Sequence, residues 1–176
     1  MAFRHELDDF ARFYERSYPA AFRTALGIVR DPGLAADVTQ DAFVQAYRQR
    51  ERFRGEAPVV TWLYRIVVNE ALMGLRRRSR GPREIDVSAT DREPGAPGEV
   101  ARVPDRLAIL GALDDLTPKA RAAVVLRYYH DLDYETIARI LETSATNVGA
   151  MLSRSLDRMR DSLEPRPDAV ATGGER

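Results

Sequence analysis

Cysteine is absent from the 176 residues, so neither a disulfide framework nor a thiolate metal site is available. Only two histidines occur, His5 and His130, far apart along the chain, and a protein without metal or other cofactor is the simplest reading. Long apolar runs are missing too. Arg4, His5, Glu6, Asp8 and Asp9 break up the start, where a signal-peptide core would have to lie. No uncharged apolar stretch reaches the roughly 18 residues that a membrane-spanning helix requires. The expectation is a cytoplasmic protein with no membrane insertion. Net charge is also lacking, since 27 basic and 27 acidic side chains cancel to +0 and the pI is near 6.8. A protein that binds DNA unaided must supply many phosphate contacts of its own, so this balance argues against an autonomous DNA binder.

The charge that is present is unevenly placed. Between Val60 and Arg83 stand Arg65, Arg76, Arg77, Arg78, Arg80 and Arg83 against the single acid Glu70. That is the pattern of a protein touching nucleic acid with one face. From Gly81 to Pro104 the sequence carries Pro82, Pro94, Pro97 and Pro104 with no sustained apolar period, which predicts a flexible linker over 81–104 rather than a long loop within one domain.

Apolar residues recur at helical spacing on both sides of this linker, and strand signals are absent. Leu7, Phe10, Phe13 and Tyr14 predict a first helix. Phe22, Ala25, Leu26 and Val29 predict a second, with Pro19 at its first turn. Asp31-Pro32-Gly33 reads as a break with a capping acid before a third helix, and a fourth begins near Pro58 and keeps Leu63, Val67, Ala71 and Leu75 on one file. Beyond the linker, Leu107, Leu110 and Leu113 precede Thr117-Pro118, a cap followed by proline at the first helical position. A short helix follows, with Tyr134, Ile137, Ala138 and Leu141 on one face. Glu142-Thr143-Ser144 interrupts it, and a further helix has Val148, Leu152, Ser155 and Met159 inward. Two short helices joined by a tight turn form either a helix-turn-helix, whose second helix can enter the major groove, or a plain helical hairpin. The fold class is all-α: two small helical domains joined by a flexible linker, with domains over 1–80 and 105–165 and a disordered tail over 166–176.

The segments DVTQDAF (37–43), FRGEAPVVTWLYRIVVNEAL (53–72) and RRRSR (76–80), followed after the linker by ALDDLTPKARAAVVLRYYHDLDYETIARIL, carry a resemblance. Together they resemble the extracytoplasmic-function (ECF) group of bacterial RNA polymerase sigma factors, in the family's order. The resemblance implies a non-enzymatic protein that binds core RNA polymerase. It would recognise and open the minus-ten element of promoter DNA with the first domain and contact the minus-thirty-five element with the second. It also suggests sequestration by an anti-sigma factor.

The residue chemistry agrees with those implied roles. Asp37 and Asp41 lie four apart with Gln40 beside them, a polar strip that is either a solvated face or a docking surface. By resemblance Asp37, Gln40, Asp41 and Phe43 would meet polymerase. Arg65, Asn69 and Arg76 fall near one helix face, and a guanidinium beside an amide can bond phosphates or base edges. Holding a base turned out of a melted strand needs small or polar loop residues, a stacking surface and cations along the backbone path. Arg54, Gly55, Thr61, Tyr64, Arg65, Asn69, Arg76, Arg77, Arg78 and Arg80 make up the expected minus-ten surface, and Trp62 is assigned to packing. The arginine run could also complement a helix C-terminus, but five arginines over 76–83 exceed what a dipole requires.

In the second domain Thr146, Asn147, Gly149, Ala150, Ser153 and Arg154 are the expected minus-thirty-five contacts, with Gly149 and Met151 facing DNA. There the chain departs from the family's pattern. Glu142 stands at a turn that usually holds glycine, and Gly149, Met151 and Ser153 replace a lysine, an arginine and a histidine. A different class of function, an autonomous helix-turn-helix repressor with an N-terminal regulatory bundle, fits the second domain but not the neutral charge. An enzyme is disfavoured. Asp114 and Asp115 point in different directions on a helix, His130 has no third ligand at useful spacing beyond Asp131 and Asp133, and no phosphate loop is present.

Overall fold

A computed structural model of the chain describes residues 5–80 and 111–163. The expected linker over 81–104, the expected start of the second domain with Leu107 and Leu110, and the expected tail lie outside the described residues. The first half comprises α1 (His5–Asp8), α2 (Phe10–Val29), α3 (Pro32–Gln49), a 3-10 turn (Arg50–Arg52) and α4 (Val59–Arg80). The second comprises a helical stretch at 111–114, then α5 (Pro118–Tyr128), α6 (Tyr134–Leu141) and α7 (Ala145–Leu163). The described residues are all helix, turn and loop, as the apolar period predicts. None of these helices is long and apolar enough to cross a membrane.

Helix α2 corrects one expectation. Pro19 does not open a second helix but lies inside a single one of 20 residues. A buried stripe of Phe13, Ser17, Ala21, Thr24 and Ile28 runs through it at spacings of four and three. Pro19 sits on the exposed side, where the missing amide hydrogen bond leaves a carbonyl open to water. Continuous packing on the other side outweighs an interior proline's cost of roughly 3 kcal/mol. The stripe is hard to see in the sequence because Ser17 and Thr24 are polar. Thr24 hides its hydroxyl by donating to the Ala20 carbonyl at 2.7 Å.

The expected break at Asp31 is present. Its Oδ1 accepts from the Leu34 amide at 2.8 Å, with Pro32 in the first turn of α3. Its Oδ2 accepts from Arg78 at 2.7 Å, which ties the start of α3 to the end of α4. The Leu34 amide first, and then Arg78, hold the Asp31 carboxyl below the usual carboxylate range. Gly74 lets α4 lie close to α3, since a Cβ there would meet Leu34 and Val38 at 3.4 Å.

The centre of the first domain is aromatic. Phe43 is 4% exposed and lies within ring distance of four neighbours, the nearest Tyr14 at 4.7 Å and Tyr18 stacked at 6.2 Å. This corrects its expected role. Enclosed by Phe10, Phe13, Tyr14 and Tyr18, Phe43 cannot reach a partner and serves the core. Trp62 packs on Phe53 at 5.1 Å, as assigned.

In the second domain Leu126, Ile137, Leu141, Val148 and Leu152 form the core. Thr117 caps α5 and Asp133 caps α6 through the Ala120 and Thr136 amides. The interruption after α6 is a turn in which Glu142 adopts left-handed φ 51, ψ 60 and Ser144 accepts from the Asn147 amide at 3.1 Å. A non-glycine residue in that conformation costs on the order of 1 kcal/mol. Helices α6 and α7 thus form the expected helix-turn-helix.

Replacing Phe43 with Ala should lower folding stability by about 3 kcal/mol, as other buried aromatic truncations do. Urea unfolding followed by circular dichroism checks this, and a loss below about 0.5 kcal/mol would place Phe43 on a surface.

Candidate nucleic-acid interface

The 22-residue helix α4 organises the site. Its inner file of Leu63, Val67 and Ala71 is fully buried, which fixes its rotation and leaves Arg65, Asn69 and Arg76 exposed on another side. The expected row of guanidinium, amide and guanidinium is therefore brought together. The loop before α4 exposes Arg54 and Gly55, with Gly55 at φ 73, a conformation suited to glycine. Thr61 is half-buried. A cleft of about 430 Å³ opens beside this loop, lined by Arg52, Arg54, Thr61, Trp62 and Arg65 from the first domain and by Arg139 from α6.

The arginine run divides by partner. Arg78 is bound to Asp31, and Arg77 lies 3.8 Å from Glu70. Arg76 and Arg80 are exposed and form no ion pair with a described residue. Tyr64, expected on the minus-ten surface, is instead 8% exposed beneath the second domain, its ring centroid 3.7 Å from that of His130. Burial first, and then the Tyr129 hydroxyl, push its pKa up. In this arrangement it is a contact between domains and not a base platform. Arg65 also reaches across, with Glu142 Oε1 at 3.6 Å.

On α3 the polar strip is as expected: Asp37, Gln40 and Asp41 are exposed while Val38, Thr39, Ala42 and Phe43 turn inward. One member was not anticipated. Glu70 of α4 lies under the strip, close enough to Asp41 for the two charges to repel. Burial first, and then Asp41, push its carboxyl above the usual range, while Arg77 opposes them. Its only trace in the sequence is its standing as the single acid in a basic stretch.

On α7 Thr146, Asn147, Ala150, Ser153 and Arg154 are exposed. Gly149 and Met151 do not lie as expected. A Cβ on Gly149 would meet the Tyr134 ring at 3.4 Å, and Met151 is half-buried against the core. Gly149 permits α6 and α7 to approach, and that contact turns it away from an open groove face.

The family model for Sigma-70 region 2 matches residues 13–81, and that for Sigma-70, region 4 matches residues 106–159. The RNA polymerase sigma-H factor of Pseudomonas aeruginosa is 33% identical over 149 residues, covering 78% of this chain and 77% of that one. The ECF RNA polymerase sigma-E factor of Escherichia coli K12 is 32% identical over 144 residues, covering 76% and 75%. The chain is an ECF sigma factor.

As a sigma factor it is a non-enzymatic protein that directs promoter-specific transcription initiation, which sets aside the autonomous repressor. Two solved structures share its fold. The sigma factor RpoE of Bartonella quintana, in complex with the anti-sigma factor NepR, has a TM-score of 0.70 at 24% identity, covering 88% of this chain and 96% of that one. CnrH, in complex with the cytosolic domain of CnrY, has a TM-score of 0.66 at 20% identity, covering 93% and 97%.

The environment of Glu70 has a consequence for stability. An acid whose pKa is raised on folding binds more protons folded than unfolded, so its cost is absent below the ordinary carboxylate range and sets in as pH rises through the folded value. Glu70→Gln should therefore raise the sigma factor's stability at pH 7 by a margin that vanishes near pH 3.5. Urea midpoints at the two pH values test this, and a stability loss at pH 7 would mean that the Arg77 pair outweighs burial.

Proposed function

We propose that the first domain docks on core RNA polymerase through Asp37, Gln40 and Asp41, and meets melted minus-ten DNA along Arg54, Gly55, Thr61, Arg65, Asn69, Arg76 and Arg80. The second domain would meet the duplex minus-thirty-five element through Thr146, Asn147, Ala150, Ser153 and Arg154. The observation that carries this reading is the rotation of α4. With one file locked in the core, two guanidiniums and an amide stand together beside a loop bent at glycine, the chemistry that a splayed single strand requires. The acidic strip on α3 lies on a neighbouring element of the same rigid bundle, so polymerase and melted strand can be engaged together. Work on chromosome and polymerase puts the protein in the cytoplasm. The Bartonella quintana relative's complex with an anti-sigma factor supports a partner of that kind here.

Asp37→Arg with Asp41→Arg should abolish capture of core polymerase and run-off transcription, while changing stability by less than about 0.5 kcal/mol, because both side chains are exposed. Unchanged pull-down by this folded double variant removes the docking assignment.

Arg154→Ala should weaken holoenzyme on templates with a minus-thirty-five element and reduce the salt slope of binding by about 1, the share of one phosphate contact. An identical slope on templates with and without that element, in wild type and variant alike, would take α7 off the DNA.

A further inference from the structure

The second domain is seated on the face of α2 and α4 that holds Thr24, Gly27 and Tyr64. Gly27 lets α2 and α5 touch, since a Cβ there would stand 2.8 Å from Val125 Cγ2. His130, in the turn after α5, lies at the centre. Its Nε2 is 2.7 Å from Thr24 Oγ1, its ring covers Tyr64, and Tyr129 stands edge-on to it at 4.7 Å. Around it Arg23 donates to the Tyr129 hydroxyl at 2.7 Å and Arg30 Nε to Asp114 at 2.8 Å, while Arg65 and Glu142 meet at the rim. Apart from the Tyr129–His130 ring pair, each of these contacts joins one domain to the other. The contacts at Tyr64 and Arg65 cover part of α4.

We propose that this packing is an acid-sensitive latch, in which neutral His130 holds the second domain over the α4 face and protonation of its ring releases that domain. The hydrogen-bond inventory gives the reason. A threonine hydroxyl has one hydrogen, and Thr24 donates it to the Ala20 carbonyl, so Thr24 Oγ1 accepts from Nε2–H of the ring. A second proton must then go on Nδ1, which has no acceptor among the described residues. The groups facing the ring offer no compensating anion. From α2 comes Thr24, with Arg23 beside it on the Tyr129 hydroxyl, and from α4 comes Tyr64. On its own segment stand Tyr129 and Asp131, the latter exposed and paired with Arg127 at 3.1 Å. An imidazolium would be half-buried against Thr24 and Tyr64 without a counter-charge, and separating the domains returns it fully to water.

Burial pulls the pKa of His130 down from 6.5 to about 4 in the closed arrangement. A base whose pKa is depressed by closure leaves closure at full strength above the open-state value. Closure then weakens as pH falls from there toward the closed-state value, by about tenfold for each pH unit. Histidine is the one side-chain type whose ordinary pKa brings a charge change between pH 7.5 and 5.5, so this window isolates it. The latch rests on the proposed reading of α4 only for what it covers.

The absence of cysteine allows Glu15→Cys and Arg158→Cys, at exposed positions on α2 and α7, to take a spin-label pair in the full chain. The ratio of open to closed distances should rise about tenfold from pH 7.5 to pH 5.5. His130→Gln, whose amide keeps a donor for Thr24 but does not titrate, should remove that rise. Gly27→Ala should open the domains at both pH values with helix content intact. The His130 ring signal, assigned in a His5→Gln background, should titrate below the ordinary histidine range in the otherwise native chain and move toward it in Gly27→Ala. A distance ratio indifferent to pH, the same pH response in His130→Gln, or a His130 titration near the ordinary value overturns the proposal. Failure of the Asp37 and Asp41 variants to affect polymerase capture would leave these distance changes standing.

Discussion

The buried stripe of α2 is the constraint on which the remaining architecture depends. Phe13, Ser17, Ala21, Thr24 and Ile28 give one helix a continuous inward side, against which α3 and α4 are laid. Because α4 is locked through Leu63 and Val67, the rotation that presents Arg65 and Asn69 is set by packing and not by the polar residues themselves. The same helix then carries the second domain, since Gly27 admits Val125 and Thr24 meets His130. A proline in the middle of this strut is tolerated only because the stripe runs on both sides of it.

What could be read in the sequence was whatever is decided within a few residues. Asp31-Pro32, Thr117-Pro118 and Asp133 announce helix starts because a side-chain oxygen satisfies an amide two or three residues on, and that bond is made wherever the segment ends up. The turn at 142–144 was legible for the same reason. Decisions made by distant partners were not. Phe43 looks available on a helix wheel until four rings from α2 close over it. Tyr64 looks like a stacking platform until His130, 66 positions later in the chain, covers it. Pro19 looks like a helix start because its local preference is real and only tertiary packing overrides it.

The basic stretch has a smaller free surface than its composition implies. Arg78 fastens α3 to α4 through Asp31, and Arg77 lies beside Glu70, so part of the arginine run serves the bundle's own acids. With both guanidiniums exposed, such pairs add little stability individually, but they remove charge from the face proposed to meet DNA. With total charge already balanced, the remaining cations cannot supply the counterion release that tight unaided binding demands. A sigma factor need not meet that demand alone, because it acts together with core polymerase.

The second domain applies the same logic to α7, the helix proposed to meet the minus-thirty-five element. Gly149 is small because the Tyr134 ring lies where a side chain would go, and Met151 is turned partly inward. Gly149 therefore belongs to the contact between α6 and α7 and Met151 to the packing on the core, and cations at those positions would compete with packing. Of the residues expected at the groove, Arg154 alone is charged, and Thr146, Asn147 and Ser153 can offer only short-range polar contacts. A helix of this composition gains little from phosphates and depends on being placed correctly by something else. In the chain on its own the packing around His130 sets a placement in which the rim contact of Glu142 takes up Arg65, a residue of the proposed minus-ten surface.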